Sequence, residues 1–126
     1  MNLRTPLGRV RGHGSAKEGT HHWWLQRISA LALVPLSIAF VIVLIKVTGA
    51  DHEDAVATLG HPFGAGIAIL FIFTAFYHFR LGLQVVIEDY VHGPGAKLTL
   101  LLANTFGCVA LGLVCIMAVL MLAFGG

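Results

Sequence analysis

No lysine, arginine, aspartate or glutamate occurs anywhere in residues 98–126. An uncharged stretch of that length, rich in Leu, Val, Ala and Met, belongs in the hydrocarbon core of a bilayer, which about 20 apolar residues cross as a helix. Two further runs behave alike: residues 28–47 carry only Lys46, and residues 62–87 carry only Arg80. With 57% hydrophobic and 11% charged residues in a chain of 126, there are too few charges to cover a water-facing surface. Backbone polar groups in lipid must pair within the chain, so each run is helical. The expected fold class is an all-α membrane protein with three transmembrane helices.

The punctuation between the runs divides the chain. Residues 1–22 are polar and glycine-rich and are expected to lie irregularly on the membrane surface. The first span covers 23–47, with Trp23 and Trp24 at the interface, as in aromatic belts. An acidic loop with Asp51, Glu53 and Asp54 occupies 48–61. The second span covers 62–90, a link containing His92-Gly93-Pro94-Gly95 covers 91–97, and the third span covers 98–126. A cleaved signal peptide does not account for the first run: its polar lead is too long, the apolar stretch has spanning length, and no A-x-A-like site follows.

Charge placement orients the spans. Five of the eight basic residues (Arg4, Arg9, Arg11, Lys17, Arg27) precede the first apolar run. The first loop sets Lys46 against three acids, and the carboxyl end has no basic residue. The positive-inside rule then puts the amino terminus and the 91–97 link on the cytoplasmic or matrix side, and the acidic loop and carboxyl end opposite. A basic tail also suits nucleic acid, but no aromatic interleaving or repeat accompanies it, so no nucleic-acid partner is expected. Cys108 and Cys115, seven apart inside an apolar run, share a helix face and suit neither a disulfide nor a CxxC site. With Gly112 they form a small-residue strip for close helix packing.

Ionisable groups within or beside a span carry the chemistry, since each is costly there. The second span contains HFRLGLQVVIEDY. On a helix, His78 and Gly82 fall within roughly 40° of one another, and Asp89 lies roughly 20° off the His78 azimuth and about 16 Å further along. One face thus presents an imidazole at depth, a glycine one turn on, and a carboxylate at the rim beside Tyr90. A buried His facing a gap left by Gly suits axial haem ligation in a helix bundle; a hydrogen-bonding His that ties helices together suits the same position. No second mid-span His is present, since His61 starts the span and His92 lies beyond its end, so a bis-His haem needs a partner subunit. Arg80, about 200° round from His78, lies off that face and suits snorkelling, a lipid phosphate or a partner chain. Glu88, His21 and His22 read as interfacial residues.

These residues resemble a known family. The His78…Gly82…Asp89-Tyr90 pattern, H-x3-G-x6-D-Y, and its continuation YVHGPG resemble the second helix of the small hydrophobic membrane-anchor subunit of succinate dehydrogenase. Upstream, WWLQRISALALVPL resembles the Arg-x-[Ser/Thr]-Ala stretch leading into that family's first helix. The resemblance covers roughly residues 15–126.

It implies an anchor made of two hydrophobic chains that hold one haem b between them. The partners implied are a second anchor subunit of the cytochrome b type, an iron–sulfur subunit and a flavoprotein subunit, in a bacterial inner membrane or a mitochondrial inner membrane. His78 matches the axial ligand to haem iron, with Gly82 beside it. Tyr90 matches the phenol that hydrogen-bonds a ubiquinone carbonyl, Asp89 the acid next to it, and Arg27 the basic residue near the haem propionates, where a guanidinium fork suits carboxylates. His13, in the polar tail, is a candidate to approach the iron–sulfur subunit. Succinate oxidation itself falls to the flavoprotein. Two other readings remain open on the residues: the anchor of a fumarate reductase, and a non-catalytic three-span scaffold with His78 and the Asp-Tyr pair as packing and rim residues.

Overall fold

The computed structural model describes residues 5–7 and 17–125; His13 lies outside them. Three helices are long and apolar enough to cross a membrane: α1, Lys17–Val47; α3, Pro62–Tyr90; and α4, Pro94–Phe124. Between the first two sits a short helix, α2, His52–Gly60. No strand occurs among the described residues. Helix α3 begins at Pro62 and runs unbroken to Tyr90. Three other segments differ from expectation, and in one of them α4 begins at Pro94, inside the expected 91–97 link, with Pro94 in its first turn, where a proline needs no amide partner. The first helix begins at Lys17 rather than at the tryptophans, so part of the polar lead is already helical. The acidic loop also contains a helix.

Local chemistry explains the joints. Two residues beyond Val47 stands Gly49 at φ +83°, the one described residue in left-handed backbone, which lets the chain leave α1 at no steric cost. Asp51 then caps α2, its carboxylate accepting from the Asp54 amide at 2.9 Å. Glu53 and Asp54 lie in the first turn, where the helix dipole favours negative charge. A single residue, His61, joins α2 to α3. Its extended backbone (φ −65°, ψ 140°) is what a residue before proline prefers. Pro62 takes the first helical position, where no amide donor is needed, and His61 Nδ1 accepts from the Phe63 amide at 3.2 Å. So tight is this corner that a Cβ on Gly64 would collide with the Thr58 carbonyl oxygen.

The central helix is α3. It packs against α1 on one side and α4 on the other, and the backbones of those two do not approach each other closely; α2 lies across one end against all three. Ala65, Ala68 and Val119 form the buried cluster, with Phe40, Ile69, Ile72 and Ala123 around it. Phe40 stacks on Phe71 at 4.3 Å between ring centroids. Small residues set the α3–α4 approach: Gly112 meets the Phe76 ring, to which an added Cβ would be 3.5 Å. Cys108 and Gly112 are buried and Cys115 is half-buried, as the small-residue strip predicts. Buried Asn104 ties the pair further, its amide donating to the Arg80 carbonyl at 3.0 Å. The chain covers little of its own surface. Within the most apolar window of each span, only 11%, 11% and 17% of residues are buried. The remaining apolar surface calls for lipid or another hydrophobic chain.

Candidate functional site

The seam between α1 and α3 brings together the candidate residues His78 and Gly82. His78 projects from α3 toward α1, where its Nδ1 lies 2.9 Å from the Ser29 hydroxyl oxygen. Ser29 is 5% exposed, and its hydroxyl also donates to the Gln26 carbonyl at 2.9 Å. One turn along α3, Gly82 faces the same stretch of α1: a Cβ built on it would lie 3.6 Å from Gln26 Nε2. That is ordinary van der Waals contact, so the chain itself has room for a methyl group at Gly82. On α1, His22, Gln26 and Ser29 follow at helical spacing and share one face. His22 Nε2 is buried there with no hydrogen-bond partner among the described residues.

Ser29 and Gln26 are the site residues that sequence reasoning missed. Ser29 stood in the Arg-x-Ser-Ala stretch without a role. A hydroxyl at the second position of the 28–47 apolar run was the available signal, but its partner lies 49 positions away.

The other expected residues are spread along the bundle. Asp89 and Tyr90 end α3 and are exposed, Tyr90 at 78%. Unbroken helix from Pro62 to Tyr90 keeps Asp89 close to the His78 azimuth but about 16 Å away along the axis. Glu88 is engaged locally, accepting from Gln84 Nε2 at 3.0 Å. Arg27 is exposed, with its guanidinium 5.3 Å from the centroid of the Trp23 ring. It stands about 200° round α1 from Ser29, so the fold does not bring it to His78 within this chain. Arg80 belongs to the opposite seam. Its guanidinium lies 5.8 Å from the Tyr77 ring centroid, at a groove of about 280 Å³ between α3 and α4 lined by Phe73, Phe76, Cys108 and Gly112.

This arrangement fits a haem to the extent of one side. Axial ligation asks a chain for a neutral imidazole with a free nitrogen and a place where the macrocycle can approach backbone. With Nδ1 turned to Ser29, the other ring nitrogen of His78 makes no hydrogen bond among the described residues. Gly82 offers no side chain one turn away. Among the described residues no group of three or more His, Cys, Asp or Glu could hold a bare metal ion; a porphyrin brings its own equatorial nitrogens and needs only axial donors.

Comparison with known proteins agrees with the architecture. The family described as the succinate dehydrogenase/fumarate reductase transmembrane subunit matches residues 1–124. The succinate dehydrogenase hydrophobic membrane anchor subunit of Paracoccus denitrificans is 37% identical over 107 residues, 85% of this chain and 83% of that protein. Its counterpart in Rickettsia bellii is 34% identical over 102 residues, 81% of this chain and 82% of that one. The succinate dehydrogenase membrane anchor subunit of Reclinomonas americana is 33% identical over 85 residues, 65% of this chain and 71% of that one. No solved structure matches the chain. With three membrane-spanning helices and a family match over nearly its whole length, the chain belongs to the transmembrane subunits of the succinate dehydrogenase/fumarate reductase family.

Proposed function

We propose that this chain is the hydrophobic anchor of a succinate:ubiquinone oxidoreductase, contributing one axial ligand to a haem b and part of the site where ubiquinone is reduced. The family serves enzymes working in either direction, and the relatives carry the dehydrogenase name, which favours succinate as donor and quinone as acceptor. The single observation that carries the reading is His78. It is a mid-span imidazole whose Nδ1 is engaged by Ser29 at 2.9 Å, on a helix that ends in the Asp89-Tyr90 pair.

His78 Nε2 would hold the iron from this side, and a second hydrophobic anchor subunit would supply the opposing ligand. The apolar surface that the chain leaves uncovered suits such a neighbour together with lipid. Arg27, exposed and one turn or less from the Ser29 level, would serve the propionates from the side away from the seam. When bound, a haem b supplies a one-electron store beside the quinone path.

Quinone reduction takes two electrons and two protons. The electrons come from an iron–sulfur subunit docked at the end of the bundle where α1 begins and α3 stops, the face the basic residues mark as cytoplasmic or matrix. The Tyr90 hydroxyl donates a hydrogen bond to a quinone carbonyl oxygen, and this bond strengthens as that oxygen gains negative charge. Asp89 stands beside it near a helix C-terminus, where the dipole disfavours an anion, and holds or passes a proton. The exposed end of α3 gives water access to both. Succinate chemistry belongs to the flavoprotein subunit.

The experiment is His78→Ala in the assembled complex, read by haem absorbance. Loss or displacement of the b-type bands is expected, because the axial bond and its orienting contact go together. An unchanged spectrum with an unchanged redox potential would remove His78 from the iron and leave it as a packing residue.

A further inference from the structure

We infer that Ser29 is a positioning residue that sets the tautomer and ring plane of His78, making Nε2 the atom that faces the iron; this rests on the haem reading above. The argument is a count of protons. A serine hydroxyl has one hydrogen to give and two lone pairs to accept with. Ser29 Oγ lies 2.9 Å from the Gln26 carbonyl oxygen and 2.9 Å from His78 Nδ1. The carbonyl can only accept, so that contact is attractive only if the hydroxyl hydrogen points at it. Spending the hydrogen on Nδ1 instead would leave two oxygens facing each other lone pair to lone pair at hydrogen-bond distance. The hydrogen therefore goes to Gln26, and Nδ1 carries its own proton and donates it to Ser29. A neutral imidazole protonated at Nδ1 has its free lone pair on Nε2.

Placement reinforces the choice. Ser29 is 5% exposed, so water does not compete for the contact. It sits on α1 while His78 sits on α3, and the bond fixes the ring across the helix seam. An Nδ1–H held by an oxygen also makes the imidazole a better donor to metal, and losing such a partner typically costs ten- to a hundred-fold in metal affinity.

The test uses the complete complex with threonine, valine and alanine at position 29. Ser29→Thr keeps the hydroxyl, and Ser29→Val has nearly the same shape without it, so packing changes are common to both. Readouts are haem retention, haem midpoint potential and the low-spin electron paramagnetic resonance signature, with His78→Ala alongside. Expected results are near-wild-type behaviour for Ser29→Thr. Ser29→Val and Ser29→Ala should show a raised midpoint potential, an altered resonance signature, and haem affinity lower by about ten- to a hundred-fold. Equal potentials and signatures for Ser29→Thr and Ser29→Val would overturn the positioning role. So would assembly lost in Ser29→Val and Ser29→Ala but kept in Ser29→Thr, which would assign the hydroxyl to holding α1 on α3. Wild-type haem in His78→Ala would refute the ligand reading itself, and so is distinguishable from both.

Discussion

Replacing Tyr90 by phenylalanine separates an electron-transfer role for the end of α3 from a structural one. The substitution keeps the ring and its apolar contacts and removes one hydroxyl. Tyr90 is 78% exposed, and its phenol makes no hydrogen bond among the described residues. The folded chain should therefore lose nothing measurable, within about 0.5 kcal/mol, the usual range for an exposed position without partners. Any substantial effect must come from a group outside the chain. If that group is the carbonyl of a quinone, losing the bond costs about 1–3 kcal/mol, or roughly ten- to a hundred-fold in quinone turnover.

Two assays on the same preparation check this. Succinate-driven reduction of a soluble ubiquinone analogue should fall by that factor. Succinate oxidation with an artificial acceptor that bypasses the membrane site should be unchanged, as should haem content. Wild-type quinone reduction would take Tyr90 out of the mechanism. Parallel loss of both activities would show instead that the phenol holds subunits together, and the structural reading would win.

Two further outcomes are expected. Gly82→Ala should assemble normally, because among the described residues its methyl would meet only Gln26 Nε2, at 3.6 Å. A displaced haem spectrum in that variant would place the macrocycle against Gly82, and a defect confined to Gly82→Leu would trace to the α1 seam instead. Single cysteines at Ser15 and Gly126, both outside the described residues, should label from opposite sides of the membrane, the first from the cytoplasm or matrix; labelling of both from one side would refute three crossings with this orientation.

What the sequence determined by itself was whatever depends on local composition and helical period. An uncharged run of spanning length fixes a membrane helix because no other structure satisfies its backbone in lipid. Pro62 marked the start of α3, and the register of His78, Gly82 and Asp89 followed from 3.6 residues per turn along one unbroken helix. The small strip of Cys108 and Gly112 followed in the same way. The short helix α2 was less legible. Three acids read as a loop, although Asp51 capping Asp54 is a local signal for a helix start. Tertiary structure alone decided what crosses the seams. Ser29 meets His78 because α1 and α3 run antiparallel in one particular register, with Gly82 against Gln26 a turn away. Asn104 finds the Arg80 carbonyl across the other seam. Such pairings join residues 49 and 24 positions apart, and periodicity within one helix says nothing about the offset between two. That offset is set by close packing, where Ala65, Ala68 and Gly112 let backbones approach and Phe40 stacks on Phe71.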